Sequence, residues 1–270
     1  MSEKLEQLKE RLGEIADINN AAALLGWDQQ VNMPPAGNEA RGQQLATLSK
    51  IAQEKFISDE VGRLIDDLKQ EFDGADTDEA ALVRVTARNY DKARRVPPSF
   101  IAEQAIVTTK AFEAWVEARS KSDFSIFQPH LEKVVELVHK YISFFPPADH
   151  PYDTLLDDYE RGMKTADVKA IFDGLRPQQV ELLKAIASTK QVKDDFLHKK
   201  YNEKKLMDLG VEVVTKFGYD WERGRQDKAP HPFETAFSIN DVRITTRYEN
   251  DNPLATLFST MHESGHAMYE

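Results

Sequence analysis

The segment "SINDVRITTRYENDNPLATLFSTMHESGHAMYE", residues 238–270, changes from one periodicity to another partway along. In its first part Val242, Ile244 and Thr246 alternate with other residues and β-branched side chains are frequent, which predicts a strand over 238–248. Asn252 followed by Pro253 is typical of a helix start, because asparagine accepts hydrogen bonds from unpaired first-turn amides and proline is tolerated there. Apolar residues at three- and four-residue spacing then predict a helix over 253–270.

Two histidines, His262 and His266, lie one turn apart on this predicted helix. Side chains four apart share a helix face, with β-carbons about 5–6 Å from each other. Two imidazole nitrogens can therefore converge on one ion at the zinc–nitrogen distance of about 2.0–2.1 Å. Glu263 is rotated by about 100° and can accept a proton from water at the ion without binding the ion itself. This is the His-Glu-x-x-His pattern of zinc peptidases. The alternative is a pair of surface histidines satisfied by packing or solvent.

The histidine pair alone does not complete the ligand set of a catalytic zinc site. A catalytic zinc ion normally has three protein ligands and a water molecule. Glu270, four residues beyond His266, lies on roughly the same face and could reach the ion. A ligand from a separate, later helix is the more usual solution. We therefore expect these 270 residues to be the N-terminal part of a longer active chain.

Helical periodicity dominates the rest of the chain. Apolar residues recur at helical spacing over 5–15, 45–56, 61–72, 101–116 and 131–142, and further helices are expected over 165–188 and 198–217. Gly218 is expected to end the last of these. The breaks between them carry proline or glycine, and no repeat or low-complexity linker separates modules. The sequence thus predicts a single, mostly helical domain over 1–270, with a small β-sheet next to the metal-binding helix.

Composition excludes several classes of function. The net charge of −11, from 46 acidic and 35 basic residues, disfavours binding to nucleic acid or to an anionic membrane. The chain contains no cysteine, which is compatible with a reducing compartment and removes thiolate ligands and nucleophiles. The start, "MSEKLEQLKERLGEI", lacks an apolar signal core, and "AAALLGW" at 21–27 is too short to span a bilayer. We expect a cytoplasmic protein.

Several stretches together carry a resemblance to a known family. They are "LLGWDQQVNMPPAGNEARGQQL", "YDTLLDDYERGM", "HPF", "DVRIT" and "HESGH", in this order along the chain. With them the sequence resembles the carboxypeptidase Taq family of metallocarboxypeptidases. The resemblance implies an elongated, mostly helical, gluzincin-like fold with a deep cleft and a small sheet at the active site, usually as a homodimer. It also implies release of single C-terminal residues from peptides by a metal-activated water, with zinc or cobalt as the metal.

The resemblance also implies roles for individual residues. His262 and His266 would be metal ligands and Glu263 the general base, and the third ligand would be a glutamate on a helix after the histidine pair. The remaining marked positions surround the cleft as a substrate-binding set, which comprises His231, Asp241, Arg243 and Thr245.

Elementary geometry adds to these assignments. Asp241 and Arg243 are two apart on a predicted strand and share a face, so an ion pair between them is as compatible with the pattern as contact with substrate. His231 stands between two prolines on a stiff backbone, where it could donate to a substrate carbonyl or hold a loop.

Two other functions fit the same residues. The same metal helix serves an endo-oligopeptidase, which differs only in lacking a group that captures the terminal carboxylate. The chain could also be a truncated or non-catalytic helical homologue.

Overall fold

The computed structural model describes residues 2–249 and 251–270. Their elements, in chain order, are the helices α1 (Glu3–Val31), α2 (Asn38–Phe56), α3 (Asp59–Glu71), α4 (Asp78–Ala93), α5 (Pro98–Lys121), α6 (Phe124–Ile142), α7 (Pro151–Leu156), α8 (Thr165–Ser188) and α9 (Glu203–Phe217), the strands β1 (Gly224–Lys228), β2 (Glu234–Ser238) and β3 (Asp241–Thr246), and the helix α10 (Pro253–Tyr269). Two short 3-10 turns lie at Pro35–Gly37 and Asp195–His198. The predicted fold class, mostly helical with a small sheet beside α10, is confirmed.

The elements fall into two compact units. One contains the chain up to Val134 together with Lys199–Glu270, and the other is Val135–His198. The single helical domain expected over 1–270 stays a prediction. Among the described residues, none of the helices combines the length and the apolar character needed to cross a membrane.

In the larger unit, the apolar faces that helical spacing predicts for α1 and α3 form a core with α4, a helix that the sequence pattern did not predict. Its buried members are Leu5, Leu8, Val61, Leu64, Ile65, Leu68, Val83, Ala87 and Tyr90. The side chains of Ser58 and Thr77 cap the first turns of α3 and α4, which leaves fewer orphan amides at these helix ends. Helix α2 packs against both α1 and α5 and so joins this core to α5.

The sheet has the strand order β1-β3-β2. Strand β3 pairs with β1 in parallel, with Val242 opposite Gly224, and with β2 in antiparallel, with Ile244 opposite Glu234. A second buried cluster joins the sheet to α9 and α10, and it comprises Val214, Tyr219, Val242, Ile244 and Ala267. Gly218 ends α9 in the left-handed conformation with φ of 105°, as predicted. A Cβ atom on Gly224 would overlap the hydroxyl of Tyr219, so the residue at this position must be glycine for β1 to lie this close.

The smaller unit is organised around a buried carboxylate at the start of α8. Asp153 on α7 accepts hydrogen bonds from the backbone amide of Thr165 at 2.8 Å and from its hydroxyl at 2.6 Å. These bonds lower the pKa of Asp153 to about 2. They hold the first turn of α7 on the first turn of α8.

Candidate metal centre

Helix α10 carries the histidine pair, and its start is built as predicted. The side chain of Asn252 accepts from the backbone amide of Ala255 at 3.2 Å, and Pro253 occupies the first turn. The helix buries the stripe that contains Thr256, Thr260 and Ala267 against β3 and α9. The opposite face, with His262 and His266, is exposed.

Hydrogen bonds of threonine hydroxyl groups fix the orientation of α10 about its own axis on the sheet. The Thr260 hydroxyl lies 3.0 Å from the Thr246 hydroxyl of β3 and accepts from the Gln226 side-chain amide of β1 at 3.0 Å. The Thr246 hydroxyl donates to the Thr256 carbonyl at 3.3 Å. We call Thr246, Thr256, Thr260 and Gln226 the hydroxyl network. It is buried and directional, so it presents the histidine pair on the outer face of the helix.

The two imidazoles converge on one point. Their Nε2 atoms are 3.2 Å apart, and the rings are nearly perpendicular with centroids 4.8 Å apart. Two nitrogens bound to a tetrahedral ion at 2.0–2.1 Å lie about 3.3–3.4 Å from each other. The pair therefore fits zinc as two ligands of its coordination sphere. Within residues 2–249 and 251–270 no group of three or more His, Asp or Glu side chains is placed to hold an ion, so Glu270 does not complete the set.

Glu263 lies beside the pair on the buried side of α10. Its side chain is only 7% exposed, and the backbone of Glu234 in β2 lies close enough to its carboxylate to lower its pKa slightly. Burial raises the pKa of Glu263, while the nearby imidazoles of His262, His266 and His231 oppose that rise. A carboxylate with a raised pKa is a stronger base than one in water, and this one is fixed in position.

Sequence reasoning missed Glu234, the first residue of β2. Its Oε1 atom is buried and has no hydrogen-bond partner among the described residues. Burial raises the pKa of Glu234, and the charge of Glu270 raises it further, whereas His266 lowers it. The only signal in the sequence is its position directly after "HPF".

His231 reaches the same site from the loop before β2. It is exposed, and its ring packs edge-on against Trp115 of α5 with centroids 6.4 Å apart. Its imidazole is among the groups that oppose the rise in the pKa of Glu263. Thr245 holds this loop: its hydroxyl accepts from the Phe233 amide at 2.8 Å and donates to the Phe233 carbonyl at 3.1 Å. Thr245 itself is fully buried and has no surface for a ligand.

Asp241 and Arg243 pair with each other through two hydrogen bonds of 2.8 Å. The Arg243 guanidinium also stacks on Trp27 of α1 at 4.5 Å and on Phe237 of β2 at 4.9 Å from the ring centroids. Arg225 of β1 covers Trp27 at 5.0 Å. Planar stacking on an indole is a stabilising contact for arginine, so this group joins α1 to all three strands.

One family model and curated relatives match almost the whole chain. The family model described as carboxypeptidase Taq (M32) metallopeptidase matches residues 7–270. "Carboxypeptidase 1" of Bacillus subtilis (strain 168) is 34% identical over 96% of this chain and 52% of its own length. "Thermostable carboxypeptidase 1" of Pyrococcus furiosus is 37% identical over 100% of this chain and 54% of its own. The chain thus spans about half the length of the curated relatives it matches.

Solved structures agree with this match. A structure described as "BsuCP Crystal Structure" has a TM-score of 0.95 and 32% identity, and the match covers 99% of this chain and 54% of that one. One described as "Structure of Pyrococcus furiosus Carboxypeptidase Apo-Mg" has a TM-score of 0.85 and 37% identity, over 100% of this chain and 55% of that one.

Proposed function

Since the chain belongs to the carboxypeptidase Taq (M32) metallopeptidase family, we propose that it acts in metal-dependent release of single residues from the carboxyl ends of peptides. The observation that carries this proposal is the convergence of the two Nε2 atoms, 3.2 Å apart, next to the buried Glu263 carboxylate. Imidazole pairs of this kind suit zinc, and also accept cobalt. Peptides with a free carboxyl terminus are the substrates.

His262 and His266 would hold the ion through their Nε2 atoms, and a third protein ligand would come from outside this pair, as the family resemblance implies. When bound, the ion supplies the Lewis acidity that activates water and polarises the scissile carbonyl. The Glu263 carboxylate accepts the proton of the attacking water and passes it to the nitrogen of the leaving residue.

The surrounding residues position the substrate and the base. The Glu263 carboxylate is held among buried side chains beside β2. His231 donates to the carbonyl oxygen of the substrate, and the Thr245 hydroxyl holds the loop that carries it. Arg243 and Asp241 act as a pair, which sets β3 against Trp27. A cytoplasmic location and a homodimeric state belong to the same proposal: the first rests on the cysteine-free sequence without an apolar signal core, and the second on the family resemblance.

Two substrates test the exopeptidase assignment. A dipeptide with a blocked amino terminus and a free carboxylate is expected to be cleaved, and an internally quenched peptide with an amidated carboxyl end is expected to stay intact. Cleavage of the amidated peptide would instead identify an endo-oligopeptidase. Metal analysis after addition of zinc or cobalt tests for a non-catalytic homologue, which is expected to retain less than about a tenth of an equivalent. Light scattering of the purified protein tests the homodimer.

A further inference from the structure

A cavity of about 570 Å³ opens between the end of α1, the turn that follows it, α5 and α6. The stretch "QQVNMPPAGN" at 29–38 supplies one wall, and the mechanism above uses none of its residues. The cavity is large enough for a side chain with its flanking backbone, because pockets for small ligands start at about 300 Å³.

The cavity lies next to the candidate metal centre. Pro230, which directly precedes His231, is part of its lining. On α5, Trp115 contacts the His231 ring, and both sequence neighbours of Trp115 line the cavity. The imidazole of His231 in turn lowers the pKa of Glu263. An extended peptide advances by about 3.3 Å per residue, so side chains a few residues from the scissile bond lie several ångströms from Glu263 along this surface.

The walls combine apolar side chains with one acidic group. Met33, Phe112 and Val116 provide the apolar surface. Glu113, half-buried on α5, provides the carboxylate, and the nearby Asn38 side chain lowers its pKa. Within residues 2–249 and 251–270 this carboxylate has no ion pair with a lysine or arginine. Burial raises the pKa of Glu113, as expected for an acid that has lost water without gaining a countercharge.

Other charged groups of the lining do not supply that countercharge. Lys110 is exposed and forms no ion pair among the described residues. Glu117 is also exposed, and its carboxylate is paired with Lys121 at 2.6 Å. The Oδ1 atom of the Asn38 side chain accepts from the Gln29 side-chain amide at 3.2 Å. The cavity thus keeps a half-buried carboxylate without a lysine or arginine partner at an apolar wall.

We propose that this cavity is a side-chain subsite for the peptide substrate and that Glu113 selects a residue with a cationic end, lysine or arginine. The methylene stem of such a residue covers Met33, Phe112 and Val116, while its head group reaches the carboxylate. This inference rests on the proposed function, because it takes a peptide as the ligand, but it can be tested without catalysis.

The test measures binding to the metal-free protein, by calorimetry or chemical-shift changes. The probes are acetylated, amidated alanine tetrapeptides in which each position in turn is lysine, norleucine or glutamate. At one position lysine is expected to bind about tenfold more tightly than norleucine, the value of one charge-assisted hydrogen bond, and glutamate more weakly than both. Glu113→Gln is expected to remove the preference for lysine and to leave norleucine binding unchanged. Glu39→Gln, an exposed acid on α2 outside the lining, is the matched control and keeps the preference.

A second variant covers the case in which Glu113→Gln unfolds, which circular dichroism detects. Val116→Trp fills the cavity and is expected to weaken the lysine and norleucine peptides alike. Equal binding of lysine and norleucine at every position, a preference that survives Glu113→Gln, or no binding at millimolar concentration would each overturn the subsite. Absence of hydrolysis by the metal-loaded protein, with the lysine preference intact, refutes the proposed function and leaves the subsite standing.

Discussion

Replacing Tyr219 by phenylalanine removes one hydroxyl from beneath α10 and keeps the aromatic ring. The ring is buried and packs edge-on against Trp221 with centroids 4.7 Å apart, and phenylalanine preserves that contact. The lost hydroxyl lies 2.7 Å from the Val242 carbonyl of β3 and 3.3 Å from the Arg225 carbonyl of β1. A hydrogen bond contributes about 1 kcal/mol on average, and a buried group left unpaired costs about 1–3 kcal/mol. We therefore expect Tyr219→Phe to lower the free energy of unfolding by about 1–2 kcal/mol.

Urea unfolding followed by tryptophan fluorescence and by circular dichroism measures this loss. The midpoint should fall while the slope m stays constant, because the substitution does not change the surface exposed on unfolding. Tyr159→Phe is the matched control: Tyr159 is 89% exposed, and its change should stay within about 0.5 kcal/mol. A Tyr219→Phe protein as stable as the wild type would show that ring packing alone holds β1 and β3 at this point, and the reasoning would be wrong.

Four further substitutions have defined outcomes. His266→Ala should abolish stoichiometric zinc binding, which metal analysis after dialysis checks. Glu263→Gln should retain the metal and lower the turnover of a cleaved peptide by about 10²–10⁴-fold, which metal analysis and kinetics check. The Asp153 pKa of about 2 lies below its unfolded value of about 4, so its stabilisation is complete above pH 4 and is lost as the pH falls through about 2. Asp153→Asn should therefore flatten the dependence of Tm on pH in that window. Leu68→Ala, at a fully buried position, should lower the free energy of unfolding by about 3–5 kcal/mol, measured in urea.

Local signals made α10 and its histidine pair predictable. Asn252 and Pro253 act within one turn of their own positions, and an i, i+4 spacing needs only a helix to bring two rings together. The same holds for Gly218, whose left-handed conformation ends α9. Each of these features depends on neighbours in the sequence, and the structure has each of them where the sequence predicts it.

Long-range contacts made the rest unpredictable. Strand β1, "GRQDK" at 224–228, carries no apolar alternation, and its strand conformation comes from parallel pairing with β3. The full burial of Thr245 follows from the packing of the sheet, so its hydroxyl could not be recognised as a clamp on the Phe233 backbone. The stacking of Arg243 on Trp27 joins residues from the two ends of the chain.

The hydroxyl network has a consequence for the energetics of metal uptake. Its hydrogen bonds are directional, so α10 cannot rotate or slide by one residue without breaking several of them at once. The imidazole edges are consequently preorganised, and little conformational entropy remains to be lost when an ion enters. Uptake should leave the backbone nearly unchanged, and the heat released should come from ligation and desolvation rather than from ordering of the chain.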